Sequence, residues 1–338
     1  MRGYWPIILV LALISFACAS EIASTQWKFD SNIRALTLSA GDEVWWAGSG
    51  GLVGHRSGET WTVDTLRRID GSLPEFRSIA VTNKAAFVFS IASPAMLYRK
   101  LHSSEDWSVV YTNTDSLVFY DSMHFWDDRE GIAIGDPLNG CLSVVITRDG
   151  GAKWTEVTCD VLPPAEEAAF AASNGNIVLF GDEVWVASGG VKSRIFRSSD
   201  RGRTWGVVET PILQGGVMTG LFSVARCGPD QGMGWGGNWE AMADNSANKI
   251  VTVDGGASWD LLTPGSGPGY RSCVQYVPNT NCQSIWAVGI SGISRSFDGG
   301  VTWTNEADSS FYTVRFTQDG ETAWLAGRGK VVCRQVYP

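Results

Sequence analysis

RSFDGGVTW (residues 295–303) holds a tight-turn signal, Asp298-Gly299-Gly300, followed at once by Trp303. Asp-Gly permits the positive φ that a two-residue connection between antiparallel strands demands. The phrase is written again as VTVDGGASW (251–259), RSSDRGRTW (197–205) and ITRDGGAKW (146–154), and weaker copies end at Trp61 (HRSGETW) and Trp107 (HSSEDW). Successive tryptophans lie 46, 47, 51, 54 and 44 residues apart. That period is the length of one four-stranded propeller blade.

Each period repeats one internal order. A first strand reads FRSIAV, SMHFWD, FSVARC or YTVRFT; an apolar second strand ends in small residues, as in VWWAGSGG, GIAIGDP, VWVASGG, SIWAVGISG and AWLAGRG; a third leads into the turn and the Trp strand. Short apolar or alternating runs between Gly-rich turns are strand signals. The last period stops after three strands, and STQWKF (24–29) at the other end supplies the fourth, with Trp27 in the Trp position. The reading is all-β: a seven-bladed propeller whose N-terminal strand closes the last blade, leaving no open sheet edge.

Composition suits this. The chain has 338 residues, 44% hydrophobic and 18% charged, with 39 Gly and 16 Trp, enough for a large aromatic core and many turns. A net charge of −9 without a Lys/Arg run argues against nucleic-acid binding. Residues 1–20 read as a signal peptide or lipoprotein signal: Arg2, an apolar run over 7–16 broken only by Ser15, then small residues around Cys18, which would carry the lipid. Residues 21–338 form a single propeller, expected outside the cytoplasm as a monomer, touching membrane only through such an anchor. Cys141 and Cys159 sit symmetrically about Gly150, and Cys273 and Cys282 flank PNTN in the same way, so both pairs are candidate disulfides in an oxidising compartment.

The turn phrase resembles the Asp-box, or BNR repeat: Ser198, Asp200, Gly202, Thr204, Trp205; Thr252, Asp254, Gly256, Ser258, Trp259; and Ser296, Asp298, Gly300, Thr302, Trp303. Thr147, Asp149, Gly151 and Trp154 depart only at Lys153. Asp-boxes occur in sialidases, xyloglucan-cleaving glycosidases, sortilin-type receptors and photosystem II assembly factors. The blade count, the GDP ending at 135–137 and the small size look most like the last group, which implies a rigid disc that presents one loop face to a protein partner. Each Asp-box aspartate is itself read as a turn residue, since the same local geometry serves every blade.

Function is expected on the face opposite those turns, at the channel mouth. Residues entering the first strands should point there: Arg34, Arg77, Asp121, Glu167, Gly220, Arg271 and Tyr312, of which all but Gly220 are charged or Tyr. Two arrangements fit. Three arginines that converge can bind a carboxylate or other anion; alternatively they pair with Asp121 and Glu167 in a salt-bridge ring that plugs the channel. The sialidase resemblance implies an alternative role as a glycoside hydrolase, with Asp121 or Glu167 as acid and Tyr312, backed by Glu167, as nucleophile. Arg34 is followed by Ala35-Leu36 rather than the Ile-Pro of those enzymes. A third possibility is glycan binding without catalysis, with Trp239 in the long loop 236–248 as a stacking platform. His55, His102 and His124 are scattered, so no metal site is expected, and no nucleotide or flavin fingerprint calls for a cofactor.

Overall fold

Six antiparallel sheets surround one axis in the computed structural model, which describes residues 24–306 and 309–336. Five are four-stranded meanders, spanning residues 76–113, 120–156, 177–209, 219–261 and 273–306. The sixth has six strands, in the order Thr313–Phe316, Thr322–Gln335, Ser24–Leu38, Val44–Gly48, Leu52–Ser57, Thr60–Thr65. No α-helix is present among the described residues. The signal segment and Cys18 lie outside them.

The expectation of seven blades is therefore corrected to a six-sheet propeller. The physical reason is the strand Ser24–Leu38. Its first half pairs with the C-terminal strand, Ser24 opposite Arg334 through Lys28 opposite Lys330, and its second half pairs Ile33 with Gly48 through Leu38 with Val44. The fourth strand of the last repeat and the first strand of the first repeat are thus one uninterrupted strand, and two wedges that the sequence pattern separates share one hydrogen-bonded sheet. Trp27 stacks on Trp324 with ring centroids 5.5 Å apart and meets Trp61 edge-on.

The repeated turn holds each sheet to the one before it. In all four strong copies the Ser/Thr hydroxyl receives the N–H of the Gly two residues after the Asp, and the Asp carboxylate accepts backbone amides three or four residues on, as Asp200 does from Arg203 and Thr204 at 2.9 Å. These bonds hold the Asp200 carboxyl down at about 2 against the opposing pull of burial. The following Trp crosses the seam: Trp154 packs on Phe87, Trp259 on Trp185 and Trp303 on Trp235, each partner belonging to the preceding sheet. Burial of so large a ring at each seam is a main source of cohesion between wedges.

The second glycine of the turn has two reasons to be glycine. Gly256 has φ +78°, and a Cβ there would lie 2.7 Å from the Trp185 ring of the preceding sheet. Gly256→Ala is expected to cost roughly 2–4 kcal/mol, from left-handed backbone strain plus overpacking. Urea denaturation measures it; a midpoint equal to wild type would mean that the seam tolerates the methyl group.

Two disulfides form. Cys141–Cys159 closes the edge of one sheet, with Cα atoms 5.5 Å apart. Cys282 is bonded to Cys227, not to Cys273 as the flanking pattern suggests. Hairpin register explains the correction: Cys273 stands opposite Val288 and Tyr276 opposite Ile285, so Cys282 lies at the far end of the hairpin from Cys273. There it reaches Cys227 at the end of the neighbouring sheet's first strand, while Cys273 remains a buried free thiol.

Candidate binding surface at the channel mouth

On four of the inner strands a β-bulge turns one side chain toward the channel. Pairing skips a residue at Arg34, at Arg77, at Asp121 and at Phe222, so each is the extra residue of its strand. A bulge redirects its side chain out of the pleat. Arg271 and Tyr312 sit just before their strands, Cys273–Tyr276 and Thr313–Phe316. Gly220 is not the counterpart of these residues; Phe222, two positions on, is. A small residue follows each bulge (Ala35, Ser78, Ser122, Ser223), and that shared neighbour is the sequence signal that identifies Phe222.

The Glu167 position is corrected further. The first strand of its sheet is Ile177–Phe180, ten residues later, so Glu167 does not enter an inner strand. Residues 170–176 instead cross the channel and close it. Asn174 donates to the Ile79 carbonyl and accepts the Met123 N–H; Gly175 accepts the Val224 N–H; Ser173 accepts from Thr313 and Arg315. Four inner strands are thereby tied to one crossing segment. Phe170 stacks on Phe222 with centroids 4.0 Å apart, and Phe222 meets Tyr270 edge-on.

The salt-bridge ring expected of Arg34, Arg77, Arg271, Asp121 and Glu167 does not assemble. Glu167, 1% exposed, is held by Arg194 through two hydrogen bonds of 2.5 and 3.0 Å. Burial opposes its charge, but Arg194 and the Glu166 amide outweigh burial and hold the carboxyl below its ordinary value. Arg77 binds Glu75 at 2.7 Å and caps the Ala171 carbonyl of the crossing segment. Arg271, 3% exposed, is held by neutral groups, chiefly Ser294, Ser291 and the Tyr270 carbonyl, and burial lowers it to about 10.

Asp121 is fully buried, and neither carboxylate oxygen accepts a hydrogen bond of ordinary geometry. Burial first, then the like charge of Asp136, pushes it well above the usual carboxylate range. Asp136, which accepts the Ala169 N–H at 2.9 Å, is itself raised by burial to about 6.

Arg34 differs from all of these. It is half-buried, its guanidinium lies 4.0 Å over the Tyr312 ring, and no carboxylate is within ion-pair distance among the described residues. Burial and the neighbouring Arg77 lower its pKa. Arg271 also lacks a carboxylate but is hydrogen-bonded throughout, so among the described residues Arg34 is the mouth guanidinium with neither ion pair nor hydrogen-bond acceptor, resting on an aromatic base. Trp239, 43% exposed, stands on a separate loop whose backbone is tied to the Met218 carbonyl. The structure brings Arg34, Arg77 and Tyr312 together and leaves Glu167 in its own ion pair.

No protein-family model matches the sequence, and no curated protein matches it. Similarity is found among solved structures. One described as YCF48 bound to D1 peptide superposes with a TM-score of 0.67 at 16% identity, over 93% of this chain and 97% of that one. YCF48 from Cyanidioschyzon merolae gives a TM-score of 0.67 at 13% identity, over 93% and 99%. A GH74 xyloglucanase from Xanthomonas campestris gives 0.67 at 14% identity, over 93% of this chain and 54% of the enzyme. Identities this low establish the β-propeller fold and carry no activity with them.

Proposed function

We propose that this chain is an extracytoplasmic binding propeller of the Asp-box type, whose mouth face receives an acidic segment of a protein partner. The observation that carries the reading is the Arg34 guanidinium, uncompensated and stacked on Tyr312. A half-desolvated Arg on an aromatic ring has lost water without gaining a counter-ion, so a partner's carboxylate supplies what the fold omits. The likeness to a propeller described with a bound peptide supports such a use of the disc. A glycosidase role for Asp121, Glu167 and Tyr312 draws no support from this geometry, because the first two are sealed from solvent.

The test is fluorescence anisotropy with labelled acidic peptides and their Gln/Asn counterparts. Acidic peptides are expected to bind, and Arg34→Gln to weaken them about 30-fold or more, since truncating a partly desolvated charge pair costs about 2–5 kcal/mol. Equal affinity for the neutral peptides, or for the variant, would overturn the reading.

A further inference from the structure

The inner strands end in a funnel on the face opposite the mouth. Leu38, Val44 and Arg56 stand side by side at the end of their sheet that carries the turn at residues 57–60, the same side as the Asp-Gly turns. Thr37, Leu38, His124, Leu179, Val224 and Phe316 line the funnel; its volume is about 500 Å3, and Asn174 and Gly175 of the crossing segment form its floor. Its volume falls within the roughly 300–1,000 Å3 range of small-molecule sites, and its lining is mixed, with Leu38, Leu179 and Phe316 beside Ser39, Asp42, Gln275 and Gln318.

Arg315 supplies the charge. Its two terminal nitrogens donate to the carbonyls of Ser173, Asn174 and Val314 at 3.1, 3.0 and 2.7 Å, to Thr313 Oγ1 and to the Cys273 sulfur. Every acceptor is neutral, and no carboxylate reaches Arg315 within ion-pair distance among the described residues. The other arginine of the lining, Arg226, is paired with Glu183, and the rim carboxylate Asp42 accepts the Gln318 N–H at 3.2 Å. His124 adds a lone pair. Its Nε2 lies 3.0 Å from the Asn174 carbonyl, which only accepts, so Nε2 carries the hydrogen and Nδ1 is bare. Burial and Arg315 lower this histidine to about 4, so it stays neutral and leaves the funnel's positive charge to Arg315.

We propose that this funnel binds a small organic carboxylate, its charge on Arg315 and its apolar body against Leu38, Leu179 and Phe316. The terminal N–H groups of Arg315 are taken by neutral acceptors, which leaves its Nε–H and its uncompensated single charge for a ligand, and that suits a monoanion. The site is independent of the mouth and of the partner proposed there.

Isothermal titration of the full chain with hexanoate, and with hexanamide as the uncharged match, tests it. Hexanoate is expected to saturate one site and to bind at least about tenfold tighter than hexanamide. Arg315→Gln should abolish the preference. Because Arg315 also holds the crossing segment, Thr37→Trp is the second variant: it fills the funnel, keeps Arg315, and should lose hexanoate binding. Arg34→Gln at the mouth should leave that binding intact. Absence of saturation, equal binding of acid and amide, binding that survives Thr37→Trp, or binding lost with Arg34→Gln would each overturn the proposal.

Discussion

Glu167→Gln is expected to lower the unfolding free energy by about 3 kcal/mol. The variant leaves Arg194, 9% exposed, with only the solvent-exposed Glu209 carboxylate, 3.8 Å away, as counter-ion. Breaking one half of a buried ion pair costs about 3–5 kcal/mol, because the remaining charge stays desolvated; the amide oxygen still accepts one bond, which places the loss at the low end. Arg194 also donates to the Pro164 carbonyl, so the pair anchors the chain just before it enters the channel. A double variant, Glu167→Leu with Arg194→Met, should recover most of the loss, since apolar replacement of the whole pair is often neutral. The carboxyl's folded pKa is depressed, so its contribution is present above the ordinary value near about 4.3 and disappears as pH falls through the folded one. Urea titrations of wild type and both variants at neutral and acid pH measure all of this. A single-variant loss below about 1 kcal/mol would return Glu167 to consideration as a chemical group.

The turn phrase made the architecture legible because its chemistry is local. Asp200, Gly202, Thr204 and Trp205 act within a few residues of one another and on the preceding sheet, so one written motif specifies one seam. Sheet count was less legible. It depends on whether the backbone breaks between residues 30 and 33, and nothing in Asp30-Ser31-Asn32 separates a turn from a bulged strand.

At the mouth, the positions of Arg34, Arg77 and Asp121 could be read from apolar alternation, since a bulge shifts the pattern by one residue only. Glu167 could not be read that way. LPPAEEAAFAASNGN (162–176) has the small residues of a strand neighbour but fills a channel, and its identity as a crossing segment is set by contacts with strands up to 142 residues away. Spacing held a warning: Glu167 precedes Val184 by 17 residues, whereas Arg77 precedes Ala85 by eight, too long for the hairpin the other repeats use. Partner choice among charges was not legible either. Glu75 rather than Asp121 took Arg77, because two residues along a bulged strand bring the two side chains to the same side.

Asp121→Asn is expected to do the opposite of Glu167→Gln and raise stability at pH 8 by about 2 kcal/mol, with little change at pH 4. The groups that face this carboxyl are Asp136, Arg77 and, more weakly, the Ala171 backbone N–H of the crossing segment. Arg77 favours its charge, yet Nε and Nη2 are engaged by Glu75 and Nη1 by the Ala171 carbonyl. Burial and Asp136 therefore prevail, and the folded pKa stands above the ordinary value near about 3.9. Below that value both states are protonated and the side chain costs nothing electrostatic. As pH rises past it, the unfolded chain releases the proton while the folded chain keeps it. The unfolded state then binds fewer protons, so stability falls with pH, by up to about 1.4 kcal/mol per unit, until the folded pKa is reached. Asparagine has the same shape and cannot titrate, so the slope contributed by this group should vanish. Asp136, raised to about 6, keeps its own smaller slope between pH 4 and 6 in both proteins. Unfolding curves at unit steps from pH 4 to pH 9 separate the two. Parallel profiles for wild type and Asp121→Asn would show that Asp121 is ionised and compensated in the folded chain, and would reopen it as the carboxylate of a working site.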